Sequence, residues 1–199
     1  MVNRSGSFSP SPAIQRVAGA FRIIGWASFW VQVVLGVISA IILLVASSNL
    51  GAPRPNPANP AAAAAANPGT GTGLFLAFLG IVALGGSIYW AFRYTRLSRK
   101  LKTANAADRP KRGDAIQTLQ IGILINLGGL LVTVLGAQAI SGSLLLKSFA
   151  QGFTIFAGSA LNFITPLDLL VVQANTNTIL AHLLGLGATL LILRSINRS

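Results

Sequence analysis

Charged side chains interrupt this 199-residue chain only at long intervals, and those intervals dictate what it can fold into. No charged residue lies between Arg22 and Arg54, between Arg54 and Arg93, between Asp114 and Lys147, or between Asp168 and Arg194. A helix needs about 20 apolar residues to cross a hydrocarbon core of about 30 Å, and each of these intervals holds such a run. The expected fold is therefore an all-α membrane protein, a bundle of four transmembrane helices over 23–48, 73–92, 115–146 and 165–193. Between and around them lie a basic tail (1–22), a Pro/Ala-rich linker (49–72), a basic loop (93–114) and a C-terminal tail (194–199). The remaining segment, 147–164, contains the short apolar stretch Gln151–Ile164, which suits an interfacial or re-entrant element before the last helix better than a fifth crossing. Composition agrees: 53% of residues are hydrophobic and 9% charged. That is too little charge to cover a soluble domain, where about 25% is usual, and too much apolar residue for disorder. The first apolar run is too long for a secretory signal, so none is expected. The absence of cysteine removes disulfides and thiolate metal sites.

The charge that remains is one-sided. Thirteen of the fifteen Lys and Arg residues fall on the two tails and the 93–114 loop, leaving Arg54 and Lys147 on the other side of a four-span chain. The positive-inside rule then places both termini and the 93–114 loop in the cytoplasm or its equivalent. Arg93, Arg96, Arg99, Lys100, Lys102, Arg109, Lys111 and Arg112 make this loop the main basic surface. Tyr94, Leu97 and Leu101 recur beside them at helical spacing, so the loop begins as a basic amphipathic extension of the second helix. Such a surface suits anionic headgroups or an acidic partner. No base-reading module accompanies it, so nucleic acid is not an expected partner. Asp114 and Gln117 read as N-cap and N3 of the third helix. Trp26, Trp30, Tyr89, Trp90 and Tyr94 read as an aromatic belt at this face.

In lipid, helices pack where small residues let backbones approach. Each span carries such a stripe: Gln32, Gly36 and Ser39; Ala77, Gly80 and Ser87; Gly122, Asn126, Gly129, Thr133 and Gly136; Asn177, Ala181, Gly185 and Thr189. The polar run before and into the last helix, Thr165 to His182, is where chemistry is sought. Thr165, Pro166 and Asp168 read as N-cap, N1 and N3 acid. Gln173, Asn175, Asn177, Thr178 and His182 follow, and with Asn126 and Gln32 they are the candidate substrate or pore residues. Asn175, Thr178 and His182 share one face. Polar groups so placed in lipid either line a wet site for a solute or ion, or hydrogen-bond between helices. His182 is the only histidine, which is poor provision for a metal site. No nucleophile–base set, paired carboxylates or phosphate loop appears. The chain reads as a non-enzyme without a cofactor.

Two stretches, RVAGAFRIIGWASFWVQVVLGVISAIILL (16–44) and PLDLLVVQANTNTILAHLLGL (166–186), resemble a plastid inner-envelope family and its cyanobacterial relatives. The likeness covers the chain from about residue 14 onward, and VVQANTN in the last helix is its most specific part. Without a long transit peptide, the chain resembles a cyanobacterial member. The resemblance implies four transmembrane helices in a cytoplasmic, thylakoid or envelope membrane. That family has been described both as a subunit of the inner-envelope protein-import translocon and as an iron permease. Two functions therefore stand side by side: transport of a small solute such as iron, and a non-transporting subunit or adaptor of a larger assembly, such as a protein-import or photosynthetic one. A homo-oligomer would reconcile them, because symmetry multiplies sparse ligands.

Overall fold

The computed structural model describes residues 11–50, 68–103, 109–156 and 164–198. Arg4 in the first tail, Arg54 and residues 51–67 of the Pro/Ala linker, Asp108, and residues 157–163 of the interfacial segment lie outside the described residues. Among the described residues the fold has four helices: α1 (Pro12–Leu50), α2 (Pro68–Leu101), α3 (Arg112–Phe156) and α4 (Pro166–Asn197). All four are long and apolar enough to cross a membrane. The shortest, α4, has 32 residues, or about 48 Å at 1.5 Å per residue, so every helix overruns the hydrocarbon core.

The overruns revise the expected boundaries. Residues 68–72, read as linker, open α2, and the basic extension continues α2 to Leu101. Asp114 is not an N-cap: α3 starts two residues earlier and Asp114 sits in its first turn, favourably placed against the helix dipole. Most consequentially, α3 does not stop near 146. It runs through Lys147 to Phe156, because no proline occurs between Pro110 and Pro166 to break it. The first part of the expected interfacial segment is thus a continuation of α3.

At the start of α4 the local chemistry acts as expected. Thr165 is the N-cap (φ −95°, ψ 158°), with Pro166 in the first turn and a capping box to Asp168. Thr165 N–H donates to Asp168 Oδ2 at 2.9 Å. Lys147 Nζ donates to Asp168 Oδ1 at 2.9 Å, so the one basic residue on α3's far half is held against the start of α4 rather than in a loop.

The helices run up, down, up, down. Ser98 Oγ on α2 donates to Ala18 O on α1 at 2.7 Å, while Ser39 Oγ farther along α1 donates to Ala174 O on α4 at 2.8 Å. Each helix packs on its chain neighbours, α1 closes on α4, and α2 and α4 also meet across the diagonal. Outward positions are large and apolar, such as Ile23 (72% exposed) and Val82 (70%), while the interior holds small and polar groups. Two apolar clusters fill the ends of the bundle. Phe21, Tyr94, Leu119 and Ile192 pack at the basic end, and Leu43, Leu74, Ile140 and Val171 at the other. The polar residues lie between them.

Candidate functional site

The middle of the bundle is a junction built on glycine. A Cβ added to Gly185 of α4 would collide with Gln32 Nε2 and Asn126 Oδ1. Glycine lets α4 lie directly against the amides of α1 and α3, and a larger residue there would make those amides shift. Between those amides, Ser87 of α2 brings its hydroxyl to 2.8 Å from Gln32 Oε1 and 2.7 Å from Asn126 Oδ1, so one proton is shared between two acceptors. Gln32 Nε2 donates to Ser28 Oγ at 2.9 Å, and Asn126 Nδ2 donates to Gly122 O at 2.9 Å. All four helices meet here, and Gln32, Ser87 and Asn126 are buried. A polar network in a dry interior persists when its members are satisfied from within.

The face formed by Asn175, Thr178 and His182 lies next to this junction and is also buried. The imidazole of His182 rests on Gly129 of α3, where any Cβ would overlap its ring. His182 Nε2 is 3.3 Å from Gly80 O of α2. Asn175 Nδ2 donates to Thr133 O at 3.0 Å, and Thr178 donates to Ala174 O at 3.0 Å within its own helix. The structure brings Asn175, Thr178, His182, Asn126 and Gln32 into one interior. It does not bring in Gln173 and Asn177. Gln173 is exposed and Asn177 half-buried, and Gln173 Nε2 donates to Asn177 Oδ1 at 3.0 Å. Asn177, placed in the packing stripe from sequence, is one residue off it: the buried face of α4 runs through Ala174, Thr178, Ala181 and Gly185, about 100° away.

Chemically, the hydrogen bonds of this interior run both between helices and along them. His182 is bonded to a backbone carbonyl and not to a side chain it could activate. Among the described residues, no three His, Cys, Asp or Glu side chains gather. Two buried atoms, Asn175 Oδ1 and His182 Nδ1, have no hydrogen-bond partner among the described residues.

The basic end is organised differently. Arg93 lies over the Trp90 ring at 4.5 Å and Arg96 over the Phe92 ring at 4.8 Å. Arg109 Nε donates to Thr103 O at 2.9 Å, and Arg112 reaches Ile196 O at 3.4 Å, so these two stitch loop and helix ends together. Lys100, Lys102 and Lys111 are exposed. Trp26, Trp30 and Tyr89 face outward, as a belt requires, but Tyr94 is only 2% exposed. Its hydroxyl lies 3.3 Å from Thr189 Oγ1 and fills the space a side chain at Gly122 would need; Tyr94 belongs to the interior because it faces α3 and α4 rather than lipid.

Sequence reasoning passed over the ion pair of Lys147 with Asp168 and the placing of Arg22. The pair's signal was weak, since 21 residues separate its partners. Arg22 was counted with a tail, yet it stands beside Arg99 and Lys102 around a cavity of about 350 Å³. A second cavity, about 400 Å³, opens at the same end between Ile14, Leu101, Arg109 and Ile196.

Apolar side chains outward, polar ones inward and spans of this length make the chain an integral membrane protein of the four-helix bundle type. It belongs to the family described as "Protein of unknown function (DUF3611)", which it matches over residues 11–197. It is also similar to "Protein TIC 21, chloroplastic" of Arabidopsis thaliana, with 32% identity over 188 residues and 92% of this chain covered. The chain spans 58% of that relative's length. No solved structure matches it.

Proposed function

We propose that the chain is a helical subunit of a membrane transport or protein-import assembly, contributing a rigid scaffold and a basic surface rather than a conduit of its own. The observation that carries this reading is the state of the polar face. Gln32, Asn126, Asn175, Thr178 and His182 are each at most 3% exposed, and two of the contacts that bury them are with glycines, Gly185 and Gly129, where no side chain can withdraw to open a path. The likeness to the chloroplast relative supports an organellar or cyanobacterial membrane as the setting. The positive-inside rule then puts both termini and the basic end on the cytoplasmic or stromal side, where Arg93, Arg96, Lys100 and Lys111 face anionic headgroups or an acidic partner.

Uptake of a small solute such as iron is the second reading. It is favoured by the two unpartnered atoms, Asn175 Oδ1 and His182 Nδ1, which a homo-oligomer would multiply. Purification in mild detergent from native membranes, with stoichiometric partners identified, and iron uptake into liposomes separate the two. The subunit reading expects a stoichiometric partner and uptake no better than empty liposomes. It is overturned by a partner-free protein that takes up iron and loses that activity on His182→Ala.

A further inference from the structure

The cavity beside Arg22 has a polarity gradient along the membrane normal. Arg22 on α1 and Arg99 and Lys102 at the end of α2 surround it, all three exposed. One turn deeper on α1 stands Trp26, and deeper on α2 stand Thr95 and Phe92, which form its apolar wall. The slot exists because α1 and α2 come close beneath it: a Cβ on Gly25 would lie 3.2 Å from Tyr94 Cβ and 3.5 Å from Thr95 Cγ2. Ser98, 1% exposed, ties α2 to α1 beside the slot by donating to Ala18 O at 2.7 Å. Arg96 lies over the Phe92 ring at 4.8 Å and holds that wall in place.

None of the three cations has a carboxylate partner among the described residues. The ion pair among the described residues, Lys147 with Asp168, sits at the opposite end of the bundle. Three cations without a described carboxylate partner, above an aromatic wall at the depth where Trp26 is 46% exposed, match an amphiphile with an anionic head and an apolar tail.

The geometry points to a binding site for one anionic phospholipid between α1 and α2, with the phosphate held by Arg22, Arg99 and Lys102 and an acyl chain lying on Trp26 and Phe92. This goes beyond a diffuse attraction of the basic loop to headgroups, because it assigns a cavity and includes a residue of α1. It stands independently of the function proposed above.

Native mass spectrometry of the full chain in neutral detergent tests it, with phosphatidylglycerol or phosphatidylcholine supplied. The wild type is expected to retain one phosphatidylglycerol in preference to phosphatidylcholine. Arg22→Gln/Arg99→Gln/Lys102→Gln is expected to weaken that retention at least about tenfold, since each cation near an anionic lipid contributes a several-fold factor. Arg16→Gln/Arg194→Gln/Arg198→Gln removes the same charge from exposed positions outside the cavity and is expected to retain the lipid. Equal loss in both variants would reduce the effect to net charge and overturn the site. So would inorganic phosphate that binds the wild type as tightly as the lipid does. A second measurement avoids charge variants. In a Trp30→Phe/Trp90→Phe protein, Trp26 fluorescence in phosphatidylcholine vesicles is followed as brominated lipid is added. Brominated phosphatidylglycerol is expected to quench at lower mole fraction than brominated phosphatidylcholine; identical curves would overturn the proposal.

Discussion

Gly129→Ala tests whether the interior is as tightly closed as the packing implies. The new Cβ would fall on the His182 imidazole, overlapping Cε1 and Nε2 and lying 2.8 Å from Nδ1. The obstacle is a ring at 0% exposure, so it cannot swing aside as the end of a flexible chain would. Overpacking of this kind costs about 1–3 kcal/mol. Displacing the ring also lengthens its bond to Gly80 O, now 3.3 Å, and an interhelical bond in a membrane contributes about 0.6 kcal/mol. Against this, alanine is favoured over glycine in a helix by up to about 1 kcal/mol. The net expectation is destabilisation by about 0.6–2.6 kcal/mol. Gly128→Ala is the control: nothing lies within 4 Å of its added Cβ, so only the propensity gain remains and stability should hold or rise. Reversible unfolding in mixed micelles, followed by circular dichroism, supplies both numbers. The double variant Gly129→Ala/His182→Ala should cost less than the two singles added together, because the ring that clashes is gone. If Gly129→Ala is as stable as Gly128→Ala, the face is loose enough to open and a conduit through the bundle becomes feasible.

Three further outcomes follow from the same geometry. Ser87→Ala removes the proton shared by Gln32 and Asn126 and should cost about 1–3 kcal/mol, the penalty for an unsatisfied buried acceptor, in the same unfolding assay. Lys147→Met leaves Asp168 with only its Thr165 bonds and should lower stability by about 1.5–3 kcal/mol. Protease protection near residue 165 should fall with it. Tyr94→Phe removes only the contact with Thr189, at 3.3 Å a long one, and should cost no more than about 1 kcal/mol, visible as a small drop in Tm; a loss several times larger would mean that the hydroxyl has another partner.

The four spans were legible because the signals for membrane insertion are local: runs without charge and small residues at helical spacing. The packing stripes were legible for the same reason. Gly36, Gly80, Gly129, Gly136 and Gly185 all fall on buried faces, because in lipid a glycine is informative wherever a neighbour approaches. What local reading missed was pairwise. Lys147 looked like a loop residue because an isolated lysine marks a helix end, until Asp168 stands 2.9 Å away. Tyr94 looked like a belt residue because it lies next to Arg93, yet the rotation of α2 turns it inward on to Gly122 and Thr189. Asn177 was placed one position wrong because a mixed polar run fits two adjacent stripes equally well, and only contact with α3 selects between them. The cavity around Arg22 needed α1 and α2 to be docked before it could be seen.

The polar layer has a consequence for how the bundle is specified. Apolar side chains pack nearly as well against lipid as against one another, so the clusters around Leu43 and Phe21 do little to fix which way a helix faces. Rotating α1 by one residue, about 100°, would turn Gln32 away from Ser87 and strand it in hydrocarbon. The same rotation of α4 would swing His182 off Gly129 and put an alkyl side chain against Asn126 in place of Gly185. Each polar contact is weak, but together they admit one register and one rotation. That is what a scaffold needs: helix ends held at fixed positions. The ends are where this chain differs most from one side to the other, with Arg22, Arg99 and Lys102 gathered at one and a neutralised Lys147–Asp168 pair at the other. A buried layer that holds register keeps those two unlike ends at fixed positions, which is the arrangement that the proposed scaffold with a basic surface would require.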